Sequence, residues 1–184
     1  AGTGDAILIQ HGGYNVLIDG GNEFEFLKDQ ISAICHAGEK INLLIITHHD
    51  DDHIAGIISI LKMMQDGELP KDFVQQVIFN SPRKIAGKIV DSDTKDLSYK
   101  QAHDTEKLIQ ELGVEWLSVD ENSKDITVGE IILEFLSPTK KDLENYSQAK
   151  GAYLTGDFRC DWNASMAALE KFIDDASQDK SIPN

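Results

Sequence analysis

Long apolar runs are missing from this chain. None approaches the roughly 20 residues needed to cross a bilayer, which excludes a transmembrane helix as its organising feature. Cysteine is scarce: Cys35 and Cys160 stand far apart and neither belongs to a CxxC pair. That excludes a disulfide framework and a cysteine-based metal site, and leads us to expect two reduced thiols in a cytoplasmic protein. Positive charge is also in short supply, with 17 Lys and Arg against 32 Asp and Glu and a net charge of −15. Broad electrostatic attraction to nucleic acid or to an anionic membrane is therefore not expected. A phosphodiester substrate remains compatible, because bound cations neutralise carboxylates and attract anions locally. No internal repeat, low-complexity tract or signal peptide is visible. The length of 184 residues suits a single domain spanning 1–184. Because the first residue is Ala1, we expect this domain to be part of a longer chain.

The pattern of apolar residues predicts alternating elements. Two short strands, 6–9 and 15–18, are separated by a turn at Gly12-Gly13. Phe24, Leu27, Ile31 and Ile34 follow helical spacing over 24–36, with Gly38 as a stop. Residues 41–46 are wholly apolar, as in a strand buried on both faces. A helix is expected over 54–64, a strand over 73–79 and a helix over 95–112. Strands are expected over 114–119 and 125–136, the latter turning at Gly129-Glu130, with a further strand at 152–155 and a helix over 162–173. The polar stretch 140–150 reads as a connection within the domain. Early alternation followed by clustered strands points to an α/β (α+β) sandwich of sheets with helices outside.

Between the apolar strand and the helix lie six consecutive side chains able to bind metal, His48 to His53. Charge runs are usually solvated faces. This one sits at the carboxyl end of a strand, where rigid β-structure can aim alternate side chains at one point. A calcium loop would need more oxygen ligands and an internal glycine. Imidazole and carboxylate together suit a divalent transition metal, which generates a hydroxide nucleophile at neutral pH.

Thr47-His48-His49-Asp50-Asp51-Asp52-His53-Ile54-Ala55-Gly56 resembles the signature loop of the metallo-β-lactamase superfamily, Thr/Ser-His-x-His-x-Asp-His-x-x-Gly. Gly4-Asp5 before the first strand, Leu17-Ile18-Asp19-Gly20-Gly21 at the end of the second, and Thr155-Gly156-Asp157 at a later strand end resemble further landmarks of that superfamily, in order. Within it, the chain is most similar to the hydrolase domain of competence-type DNA-internalisation proteins. The resemblance implies an αββα sandwich. It also implies two divalent ions, zinc by default, with His48 and Asp50 facing one, Asp52 and His53 the other, and Asp157 bridging. Asp52 is implied as a catalytic group that orients the attacking hydroxide or takes its proton.

The chain departs from the pattern at Asp50, where the superfamily usually has histidine. A carboxylate there hardens the site and favours manganese or iron more than an imidazole would. Two family histidines also lack counterparts. His103, in a predicted helix, is the only histidine between the loop and Asp157, and none follows Asp157. Asp5 and Asp19 read as turn residues or as groups that orient ligands, and His11 and His36 as surface residues. Arg83, Lys84 and Lys88 read as a solvated basic face, and Phe158, Trp162 and Phe172 as core. The expected function is a metal-dependent hydrolase using a metal-bound hydroxide on a phosphodiester, in nucleic acid or a nucleotide. The alternatives are hydrolysis of an ester, lactone or thioester, or a degenerate domain that binds metal or a protein partner without turnover.

Overall fold

The computed structural model describes residues 4–22, 24–81, 84–85 and 97–148. The chain divides into two compact units, Ala1–Lys150 and Gly151–Asn184. The second falls wholly outside the described residues, and with it the expected strand at 152–155, the helix at 162–173, Cys160 and Asp157.

The first unit opens with a hairpin of β1 (Ile7–His11) and β2 (Tyr14–Ile18), paired antiparallel with His11 opposite Tyr14. The two-residue turn has φ values of 58° at Gly12 and 83° at Gly13, the left-handed pair that matches the twist of a tight hairpin. Helix α1 (Phe24–His36) carries the chain to β3 (Leu43–Ile46), and α2 (Asp51–Asp66) to β4 (Gln76–Phe79). From there α3 (Leu97–Leu112) leads to β5 (Glu115–Leu117). The sheet order is β1-β2-β3-β4-β5, with β2 to β5 parallel. A second, two-stranded sheet pairs β6 (Ile126–Val128) with β7 (Ile131–Leu133) around Gly129-Glu130.

Side-chain alternation explains why β2 to β4 are almost wholly apolar. Leu17, Leu44, Ile46, Val77 and Phe79 join one buried cluster with residues of α1, α2 and α3. Their neighbours Val16, Leu43 and Ile78 join another with Val119 and Val128, against which Ile18, Ile45, Ile126 and Ile131 pack. One face of the sheet is thus covered by helices and the other by the β6–β7 hairpin, as expected of a sandwich. Truncating a fully buried member such as Leu44 to alanine would cost about 2–5 kcal/mol.

α1 matches its expected limits, and Gly38 ends it at φ 73°, with the amides of Gly38 and Glu39 closing onto Cys35 O and Ile34 O. Strands β3, β4 and β5 are shorter than expected, β4 starting at Gln76 and not at 73, and two expectations outside the strands also need correction. The stretch 140–150 is not an irregular connection, because α4 occupies Lys140–Gln148. Its start is a reciprocal cap: the Asp142 carboxylate accepts from Thr139 N at 3.0 Å, and Thr139 Oγ1 accepts from Asp142 N at 3.1 Å. Helix α2 begins at Asp51, three residues before the expected Ile54. Carboxylates in the first turn face the positive end of the helix dipole, so Asp51 and Asp52 favour helix there despite the polar pattern.

Among the described residues no helix is long and apolar enough to cross a membrane.

Candidate metal centre

The early start of α2 reshapes the expected loop. Thr47 to Asp50 link β3 to the helix, while Asp51, Asp52 and His53 form its first turn. Asp50 takes the N-cap position with extended backbone (φ −70°, ψ 153°), and its carbonyl accepts from the amides of His53 and Ile54. Its side chain makes no capping bond to the helix, so the carboxylate is left for other partners.

The end of β2 holds this turn in place through the peptide backbone. Gly20 N donates to His53 O at 2.8 Å, and Gly56 N donates to Gly21 O at 3.0 Å. A Cβ on Gly56 would lie 2.0 Å from Gly20 O, and one on Gly20 would lie 2.5 Å from Ile57 N. Only glycine at both positions lets the helix approach this closely. Gly4 lies equally close on the other side, where a Cβ would meet Asp52 O at 1.8 Å.

Asp19, the residue before Gly20, adopts the left-handed conformation at φ 55°, uncommon for a side chain other than glycine. It is buried, and its carboxylate gathers the site. Oδ1 accepts from Thr47 N at 2.8 Å, and Oδ2 accepts from Thr47 Oγ1 and from His53 Nδ1, the last at 2.8 Å. A carboxylate can only accept here, so His53 Nδ1 carries a proton, which leaves Nε2 as the nitrogen available to a cation. Outer carboxylates orient metal-binding histidines in this way. The expectation that Asp19 orients the loop is thus met, and Thr47 adds a link that the sequence reading did not assign.

The predicted ligands stand as two pairs. His48 Nδ1 lies 3.3 Å from Asp50 Oδ2, and His53 Nε2 lies 3.9 Å from Asp52 Oδ1. The rings of His48 and His53 meet edge to face with centroids 5.6 Å apart. Two donors on one tetrahedral ion with bonds of about 2.1 Å are about 3.4 Å apart, so the first pair has the spacing that one cation spans and the second is wider. In kind, the donor set fits a divalent metal. Among the described residues, however, no three His, Cys, Asp or Glu side chains form a ready ligand cluster. Asp157, expected to bridge two ions, lies outside the described residues.

Other candidates behave as surface groups. His11 meets Glu130 and His36 bonds Ser32 O, both exposed. His103 lies on α3 beside Asp104, 3.9 Å away. Of the basic group, Arg83 and Lys88 lie outside the described residues. Lys84 folds over the Trp116 ring, 5.0 Å from its centroid, and donates to Trp116 O.

Residues 1–62 match the family model of the metallo-beta-lactamase superfamily. The matched stretch contains the Asp19 turn and the whole Thr47–Gly56 motif, and ends within α2. It supports metal-dependent hydrolysis as the general chemistry and divalent metal as the general cofactor. No curated protein matches the chain.

Proposed function

We propose that this chain is a metal-dependent phosphodiesterase of nucleic acid or nucleotides, similar to the competence-type hydrolases and acting in the cytoplasm. His48 and Asp50 would hold one divalent ion and Asp52 and His53 a second, with Asp157 joining both. Zinc is the first candidate, and Asp50 raises the standing of manganese and iron. When bound, such ions acidify water and polarise the oxygens of the scissile group. The observation that carries this reading is the buried Asp19 carboxylate, which holds Thr47 and His53 together and sets the tautomer that leaves Nε2 to bind. Within that frame His53 binds, Asp52 accepts the proton of the attacking water, and Asp50 supplies negative charge that a cation must balance.

The test is metal analysis of the full chain together with hydrolysis of bis-p-nitrophenyl phosphate in zinc or manganese. Two ions per chain and diester cleavage, both lost in Asp157→Ala, are the expected results. Less than one ion per chain would refute the two-metal centre. Cleavage of a p-nitrophenyl ester but not of the diester would favour the ester, lactone or thioester alternative.

A further inference from the structure

The run His48–His53 offers more donors than the proposed centre uses. Asp51 is the surplus carboxylate, flanked on both sides by proposed ligands, and its own partner lies elsewhere. Helix α3 supplies a partner: Gln101 Nε2 donates to Asp51 Oδ1. The other half of the same amide is left unmatched, since Gln101 Oε1 is buried with no hydrogen-bond partner among the described residues. Turning the amide over would press its oxygen against the Asp51 carboxylate, so the bond to Asp51 dictates the orientation. A buried carbonyl without a donor destabilises the fold, and an apolar side chain of the same length would avoid that cost. An amide kept at such a position is explained by what it holds.

We propose that Gln101 is a positioning residue for the metal loop. By engaging Asp51 it draws the surplus carboxylate toward α3 and pins the first turn of α2, leaving Asp50 and Asp52 each to face its own ion. This rests on the metal-centre reading above, and no feature of the sequence around Gln101 announces it.

The full chain is compared with Gln101→Met, Asp51→Ala and the double variant. Zinc affinity is measured by chelator competition, and melting temperature is measured without metal. Gln101→Met should weaken zinc binding by up to about tenfold, the lower end of the range for losing an outer partner of a ligand, because Gln101 reaches the ligands only through Asp51. The metal-free melting temperature should hold or rise, because the unmatched carbonyl is gone. Asp51→Ala should weaken binding to a similar degree, and the double variant no further than either alone. Unchanged zinc affinity in Gln101→Met, or additive losses in the double variant, would overturn the assignment. A fall in metal-free melting temperature without loss of affinity would show a packing role only and also overturn it. If the unsubstituted chain takes up no zinc, the metal-centre reading itself fails.

Discussion

Two histidine–carboxylate pairs in this molecule have the same length and opposite settings. His53 Nδ1 to Asp19 Oδ2 and His11 Nε2 to Glu130 Oε2 both measure 2.8 Å. The His11 and Glu130 side chains are 57% and 85% exposed, whereas Asp19 is 9% and His53 34% exposed. The first pair links the end of β1 to the β6–β7 turn. In the second, one carboxylate also binds the amide and hydroxyl of Thr47 and sits on a left-handed backbone fastened to α2. Distance does not separate an orienting contact from an incidental one. Burial of the acceptor and the number of groups converging on it do.

The sharpest way to break this contrast is to remove the frame around the buried pair. Gly56→Ala places a methyl group against Gly20 O, and backbone cannot move aside as a side chain can. We expect a loss of about 3 kcal/mol or more in urea unfolding. An unaltered midpoint would mean that α2 does not dock as described.

A subtler change keeps the frame and alters the acceptor. Asp19→Asn removes the charge facing His53 while retaining a residue that tolerates φ 55°. Divalent-metal affinity should fall about 10- to 100-fold. Calorimetric titration of both proteins measures it, and equal affinities would deny Asp19 its orienting role. The smallest effect belongs to the exposed pair. Glu130→Gln should shift stability by no more than about 0.5 kcal/mol, because solvent screens both partners. A larger shift in the urea midpoint would show that the two pairs are more alike than their surroundings suggest.

Much of this arrangement was legible in the residues. Apolar spacing located α1 within its observed limits, and the Gly12-Gly13 and Gly129-Glu130 turns announced their hairpins. Asp19 stood out because it interrupts an apolar strand before two glycines. What escaped was decided by local electrostatics or by distant contacts. The start of α2 at Asp51 came from carboxylates at a helix terminus, where charge and dipole outweigh a polar pattern. Helix α4 hid in a stretch with few apolar residues and is announced only by Thr139 and Asp142. Gln101 carries no motif and meets Asp51 only through the packing of α3. Its neighbour in space lies fifty positions away along the chain.

Part of the fastening of α2 to the end of β2 runs through peptide groups, from Gly20 to His53 and from Gly56 to Gly21. Peptide groups are the same whatever side chain they carry. Those bonds do not depend on the side chain at position 50, which makes no capping bond to the helix and can be exchanged without breaking them. On the proposed reading of Asp50 as a metal ligand, Asp50→His should alter which cation is held while the fold stays as it is.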